Sequence, residues 1–168
     1  MDHYFTSADP GEIADLDNGV HQGWSRTGLT FNVFAPSKSG RSGVPVCRFY
    51  GLPSAGVDSH FYTADQNECA GIPDTFHGAW QLESNDVFEV RMPTADGVCA
   101  PAFVPVYRLW NQRADSNHRF TKDLNVARDM KARGYYWEGW GLGVAMCAAV
   151  TALPSARRDG PSDGEPPH

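Results

Sequence analysis

The stretch PVYRLWN at residues 105–111, followed by HRFT at residues 118–121, decides the fold. The first part has a counterpart in PVCRFYG at residues 45–51, and the second has counterparts in HFYT at residues 60–63 and HYFT at residues 3–6. After each HxxT element comes a Trp- and Gly-containing element and then an apolar stretch. Elements that recur in one order at nearly constant spacing indicate tandem repeats.

Each unit is predicted to be a β-hairpin, a short helix and a return strand. The PVxRxx and HxxT elements are rich in β-formers and are separated by a turn-forming loop, which is typical of a hairpin. Asp9, Asp65 and Asp123 are placed to cap a helix that follows each hairpin, because an aspartate side chain accepts bonds from the first helical N–H groups. We expect Asn18-Gly19 and Ile72-Pro73 to stop the first two helices.

The sequence therefore predicts an α+β fold of three pseudo-repeats in one domain at residues 1–152, with units at about 1–36, 44–92 and 98–149. A β-trefoil is the alternative, since it shares threefold repetition, but the helix caps speak against it. The first unit lacks its PVxRxx strand, which we expect to be supplied upstream of this chain; an atypical capping unit is the other explanation. Residues 153–168 are rich in proline and charge and are predicted to be disordered.

Charge and hydropathy exclude several classes of protein. The 168 residues include 14 Lys and Arg against 20 Asp and Glu, a formal net charge of −6, so nucleic acid is not an expected partner. No apolar run approaches the roughly 20 residues that a bilayer span requires. The chain is long enough for a single core, and we expect a monomer.

Four cysteines form an even set without a CxxC pair, which favours disulfides and an oxidising compartment. Among three possible connectivities we predict Cys47–Cys69 and Cys99–Cys147. The first joins a hairpin strand to the helix that packs on it, and the second joins the two ends of the third unit. The predicted location is extracellular or in the cell envelope, although this chain carries no signal peptide.

The repeated histidines His3, His60 and His118 are predicted to point inward and to be structural. Three units around a pseudo-threefold axis could instead bring three imidazoles together as a zinc site. Because repetition by itself explains the repeated histidines, we predict no metal and no cofactor.

Strand alternation places Tyr4, Phe61 and Arg119 on the face opposite the histidines. An arginine there indicates a wet face, so its aromatic rings are candidates for stacking on sugars, with Asp58 and Asn117 as polar neighbours. This arrangement predicts weak binding of a glycan or cell-wall polymer. The alternative is that the rings are covered, or that Arg119 is itself covered and paired.

Catalysis is not predicted. The sequence contains no GxSxG, HExxH or Gly-rich phosphate loop, and Ser59-His60 are adjacent strand residues that point to opposite faces. No catalytic residue is assigned, and a hydrolase is the least favoured alternative.

Several stretches of the sequence are characteristic of a known family: PVCRFYG, DSHFYTA, ECAG, AWQLES, VFEV, PVYRLWN, RADSNHRFT and EGWG–VAMC. Together they resemble a secreted bacterial and fungal repeat family, domain of unknown function 5648. The resemblance implies export, tandem units and frequent attachment to hydrolases or cell-surface proteins. It implies no known activity. We therefore expect a non-catalytic extracellular module of a larger secreted protein that binds carbohydrate or a cell surface, with a purely structural or protein-interaction repeat as the alternative.

Overall fold

A computed structural model of the chain describes residues 3–36 and 43–151, so the predicted disordered tail at 153–168 lies outside the described residues. The described part contains three α-helices and nine β-strands, which confirms the α+β class. None of these helices is both long enough and apolar enough to cross a membrane.

The helices begin at the predicted caps. They are α1 (Pro10–Asp17), α2 (Gln66–Thr75) and α3 (Leu124–Ala132). The Asp9 carboxylate accepts a hydrogen bond from the Glu12 N–H at 2.9 Å, and Asp65 and Asp123 each accept from two backbone N–H groups of the first turn. These bonds satisfy donors that a helix N-terminus otherwise leaves unpaired.

The predicted end of α2 at Ile72-Pro73 is wrong. The helix continues through Pro73 to Thr75, and the Phe76 N–H still bonds to the Ile72 carbonyl at 3.1 Å. Proline removes only its own N–H, and in the last turn the lost bond is a single one. The predicted end of α1 at Asn18-Gly19 is confirmed, with Gly19 at a φ of 73°.

Two sheets are each built around a central strand. The strands are β1 (Val44–Pro45), β2 (Cys47–Gly51), β3 (Ser59–Thr63), β4 (Trp80–Ser84), β5 (Glu89–Val90), β6 (Phe103–Trp110), β7 (His118–Thr121), β8 (Tyr136–Glu138) and β9 (Val144–Ala149). Strand β2 lies between β3 and β4, and β6 lies between β7 on one side and β8 and β9 on the other. All of these pairs are antiparallel, which confirms both predicted hairpins.

The part of the chain before β1, residues 3–36, is here called the first segment; residues 43–92 are the second and 98–149 the third. The first segment contains α1 but no strand, and residues 3–9 have no regular secondary structure. Its described β-bridges to the sheets pair Asn32 with Ala149 and Phe34 with Glu89. An HxxT strand at residues 3–6 would need a central strand as its hydrogen-bond partner, and none lies beside it.

The three segments share one central cluster, in which Val46, Tyr62, Phe88, Val106 and Met146 are almost completely buried. Phe31 and Val33 of the first segment pack against this cluster. Two smaller clusters are present, one between β2 and α2 and the other between β6 and α3. Together with the central cluster they form a core that is assembled from sequence-distant strands.

Both predicted disulfides are present. Cys47 on β2 is bonded to Cys69 on α2, with Cα atoms 6.1 Å apart. Cys99, in the loop before β6, is bonded to Cys147 on β9 across a Cα distance of 5.7 Å. The first bond therefore ties a central strand to the helix that packs on its sheet, and the second ties the loop before β6 to β9 of the same sheet.

Candidate functional site

The predicted ligand face is not an exposed surface. Phe61 is only 5% exposed and packs in the cluster of Phe49 and Trp80 beneath β2. Asn117 is 1% exposed, and its backbone N–H donates to the Asn111 Oδ1 at 3.0 Å. The prediction of a wet face at Phe61 and Asn117 is wrong because β3 is covered on both sides, by α2 on one and by the central cluster on the other.

Tyr4 and Arg119 do lie together. The Arg119 guanidinium carbon lies 4.4 Å from the Tyr4 ring centroid, and Nη1 donates to the Tyr4 hydroxyl at 2.8 Å. Arg119 is therefore half-buried and paired with Tyr4. Asp58 is exposed and accepts a hydrogen bond from the Tyr50 hydroxyl at 2.8 Å, so it contacts none of the other predicted ligand residues in that bond.

The histidines contact carboxylates. The Nε2 atom of His60 lies 3.4 Å from Glu83, and that of His118 lies 3.2 Å from Glu138. In the first segment, the His3 Nε2 is buried and has no hydrogen-bond partner. Across residues 3–36 and 43–151, no group of three or more His, Cys, Asp or Glu side chains could hold a metal ion.

An arginine from β2 joins the first segment to the second. The Arg48 guanidinium donates two hydrogen bonds to the Glu12 carboxylate on α1, at 2.9 and 2.7 Å. Its Nε lies 2.8 Å from Glu83 on β4, the carboxylate that His60 also contacts. We call these four side chains the Arg48 joint.

The same arrangement joins the second segment to the third. Arg108 on β6 donates two hydrogen bonds to Glu68 on α2, at 2.9 and 3.0 Å, and its Nε lies 3.1 Å from Glu138 on β8. With His118 these side chains form the Arg108 joint. In both joints the helix glutamate is the third helical residue, so a bidentate ion pair links one segment's helix to the next segment's central strand.

Burial and charge shift the titration of both joints. Hydrogen bonds from Arg48 lower the pKa of Glu12, and burial lowers the pKa of His60 to about 4, with the charge of Arg48 acting in the same direction. Burial alone would raise the pKa of Glu138, but His118 and Arg108 outweigh it and lower that pKa. His60 is thus neutral at physiological pH, and the joints hold the segments together through arginine and carboxylate.

The joints were not predicted, although a signal for them exists in the sequence. Arg48 and Arg108 occupy the same place in the two PVxRxx stretches, and Glu12 and Glu68 each stand three residues after a capping aspartate. A glutamate at that position usually bonds back to its own helix terminus as part of a capping box. The recurrence of an arginine on a mostly buried strand is the signal that could have indicated a partner in another segment.

An open groove of about 460 Å³ lies in the first segment. It is lined by residues 3–8 and 24–31 of the first segment and by Phe88, Arg119 and Phe120 of the other two. The apolar residues Ile13 and Leu16 of α1 face into it. We call it the first-segment groove.

The groove combines apolar and polar side chains. Trp24, at 39% exposure, lies edge-on to Phe5 with ring centroids 5.9 Å apart. The Arg26 guanidinium forms a bidentate pair with Asp17 at the end of α1. The hydroxyl of Ser7, which also lines the groove, donates a hydrogen bond to the Glu12 carboxylate at 2.5 Å.

These features define a disulfide-bonded α+β protein in which three segments are interlocked and the first carries an open groove. Within that class, the chain belongs to the family described as Domain of unknown function (DUF5648), whose model matches residues 1–148. The resemblance of the repeated words to this family is thereby confirmed. No curated protein and no solved structure matches the chain.

Proposed function

We propose that the protein is a non-catalytic, exported module that binds a polypeptide partner in the first-segment groove. The observation that supports this most directly is the exposure of apolar side chains there. Helix α1 has no fully buried residue, and its Leu16 lines the groove together with the 39% exposed Trp24. Apolar surface that stays in contact with water in an otherwise packed domain is typical of a partner site.

The fold is proposed to consist of three pseudo-repeats, with the first one incomplete. The second and third segments have the same order of hairpin, helix and return strand, and each has a central strand with an arginine at the same place. The first segment has the capped helix and its third-position glutamate. The groove is then a feature of an incomplete repeat and not a random surface depression.

A non-catalytic role is supported by the way the ionisable groups are used. Both guanidinium groups of the joints contact two carboxylates, one from the preceding helix and one from the same sheet. The joints therefore fix the arrangement of the segments, and their groups face one another. Ion pairs between segments account for the repeated charges without a reaction, which supports a structural role for the joints.

Export and a monomeric state are part of the proposal. The two disulfides support an extracellular or cell-envelope location, because disulfides persist in oxidising compartments. They also stabilise a small domain that has few long elements. The proposed monomer presents the first-segment groove once, so binding of a partner there is expected with one site per chain.

The experiment is selection of random displayed peptides on the immobilised protein. We expect selected peptides to lose binding to a Leu16→Asp variant, because the substitution places a charge among the apolar residues of the groove. Leu142→Asp is the matched control, since Leu142 is 75% exposed and does not line the groove. Selected peptides that bind both variants equally well would contradict the proposed site.

A glycan is the second candidate partner, because of Trp24. An exposed indole next to the polar Arg26–Asp17 pair is the combination on which sugar rings stack while their hydroxyls are hydrogen-bonded. Tyr4 also lines this groove, whereas Phe61 does not. The test is a polysaccharide array probed with the parent and with Trp24→Ala, where loss of a specific signal in the variant would favour the glycan over the polypeptide.

A further inference from the structure

Arg119 is a partly covered arginine without a carboxylate. Three arginines of the described residues are not exposed, namely Arg48, Arg108 and Arg119. Arg48 and Arg108 each contact two carboxylates in their joints, whereas Arg119 forms no ion pair with any described residue and contacts Tyr4 instead. Partial withdrawal of a guanidinium from water without a counter-charge costs free energy, so Arg119 would gain more than an exposed arginine from a bound carboxylate.

The place of Arg119 in the repeat is occupied by phenylalanine in the other two segments. Arg119 stands four residues before the capping aspartate of its helix, as do Phe5 and Phe61. Phe5 lies beneath the Arg48 guanidinium and Phe61 beneath that of Arg108, with the guanidinium carbons 5.1 and 4.8 Å from the ring centroids. The repeated packing therefore does not account for an arginine at this position, and departures from a repeated pattern are expected at functional sites.

Tyr4 fixes the orientation of the Arg119 guanidinium. The guanidinium lies over the Tyr4 ring, and its Nη1 donates to the Tyr4 hydroxyl. The other edge of the guanidinium, formed by Nε and Nη2, has no hydrogen bond to a described residue. Arg26 uses the same edge to hold the Asp17 carboxylate. This edge is the planar fork that binds both oxygens of a carboxylate.

The first-segment groove, which Arg119 lines, combines this guanidinium with apolar surface. Arg26 and Asp17 are paired with each other, and the described lining contains no further Asp, Glu, Lys or Arg. Arg119 thus gives the groove an uncompensated positive charge, although the whole chain has a net charge of −6. Trp24 and Leu29, which also line the groove, are 39% and 38% exposed. The chemistry that complements this lining is a negative charge next to apolar groups.

We propose that Arg119 selects the partner of the groove by binding the carboxylate of an aspartate or glutamate side chain, while an apolar residue of the same partner packs on Trp24 and Leu29. The partner is therefore an acidic polypeptide and not a neutral or basic one. This inference rests on the proposed binding of a polypeptide and adds the charge that is recognised. Arg119 is the specificity-determining residue, and Tyr4 positions it.

The first test compares random displayed peptides that are selected on the immobilised parent and on Arg119→Gln. We expect Asp or Glu at one position of the peptides selected on the parent, and no such preference on Arg119→Gln. Arg113→Gln is the matched control, because Arg113 is exposed and does not line the groove, and it should keep the preference. Peptides selected on the parent without an acidic position would overturn the proposal.

The second test isolates the contact between Arg119 and the carboxylate. The most strongly selected peptide is synthesised with its acidic residue and with the corresponding amide, and both are titrated into the full chain by calorimetry. We expect the amide peptide to bind the parent about tenfold more weakly, and the two peptides to bind Arg119→Gln equally. A fold defect would weaken both peptides together, and Arg119→Lys, which keeps the charge but not the fork, should restore only part of the preference. A tenfold difference that persists in Arg119→Gln would place the carboxylate elsewhere and overturn the proposal.

The outcomes separate this inference from the proposed function. Selected peptides that depend on Leu16 but bind Arg119→Gln as they bind the parent would leave polypeptide binding intact and overturn the role of Arg119. Peptides that bind Leu16→Asp as they bind the parent would contradict the proposed site itself. Polygalacturonate that displaces the peptide from the parent and does not bind Arg119→Gln would assign the carboxylate to a glycan and overturn the polypeptide as partner.

Discussion

Helices α1 and α2 differ in what covers them, although both are attached to the following segment in the same way. The Arg48 joint holds Glu12 of α1, and the Arg108 joint holds Glu68 of α2, each through two hydrogen bonds. Only α2 lies beneath a central strand and is disulfide-bonded to it. The comparison shows that attachment between segments and completion of a segment's own core are separate properties of this fold.

The largest expected effect concerns the covalent bond that α2 has and α1 lacks. Replacing both cysteines, Cys47→Ala with Cys69→Ala, should lower the free energy of unfolding by about 3.5 kcal/mol, because the bond closes a loop with a sequence separation of 22. Ile13 occupies the position of Cys69 in α1, and Ile13→Ala should cost less than about 1 kcal/mol. Urea denaturation of the three proteins measures both values. Similar losses for the two positions would show that the two helices are equally well packed.

A smaller effect is expected from truncating the apolar residue that stands seven positions after the capping aspartate, which is Ile72 in α2 and Leu16 in α1. Ile72→Ala should cost about 2.5 kcal/mol, since it leaves a cavity in a buried cluster next to Phe49. Leu16→Ala should cost less than half as much, because Leu16 is already in contact with water in the groove. Thermal and urea unfolding of both variants test the difference. A Leu16→Ala loss as large as that of Ile72→Ala would mean that the groove is closed in solution.

Breaking either joint should lower the free energy of unfolding by the same amount, because α1 and α2 are attached to the following segment in the same way. Arg48→Met and Arg108→Met should each cost about 2 kcal/mol, a value reduced from that of a fully buried pair because the partner glutamates are about one-third exposed. The measurement is again the free energy of unfolding, with Arg113→Met as the control at an exposed arginine. A loss at Arg48 far below that at Arg108 would show that the first segment is only loosely held.

The helices and hairpins could be predicted from the sequence. Which of their faces are covered by other parts of the chain could not. The hairpins and helix caps follow from short patterns, such as Asp65 at the start of α2. The disulfide of Cys47 follows from its place on a strand next to the helix that carries Cys69. The burial of Phe61 could not be derived from alternation, because alternation separates two faces without showing that both are covered. Similarly, the groove could not be predicted, because Phe88 and Phe120, which line it together with residues of the first segment, are distant from that segment in sequence.

The smallest expected effect is a dependence on pH at the joint that holds α1. Burial lowers the pKa of His60 to about 4, with Arg48 and His3 adding to the lowering and Glu12 and Asp58 opposing it. An unfolded histidine has a pKa of about 6.5, so the unfolded state binds more protons between these values and stability falls as the pH falls. The loss between about pH 7 and about pH 5 should be about 1.5 kcal/mol, measured by urea denaturation at each pH.

The variant His60→Gln isolates this contribution, since glutamine does not titrate and can still donate to Glu83. We expect the stability of His60→Gln to decrease less than that of the parent between the same two pH values, while His21→Gln, at an exposed position, should follow the parent. Protonation of His60 would place a second positive charge beside Arg48, so acid should weaken the contact between the first and second segments before the rest of the fold. Hydrogen exchange at acid pH should then show earlier loss of protection in α1 than in α2. Equal loss of protection in both helices would mean that the Arg48 joint is not where acid acts.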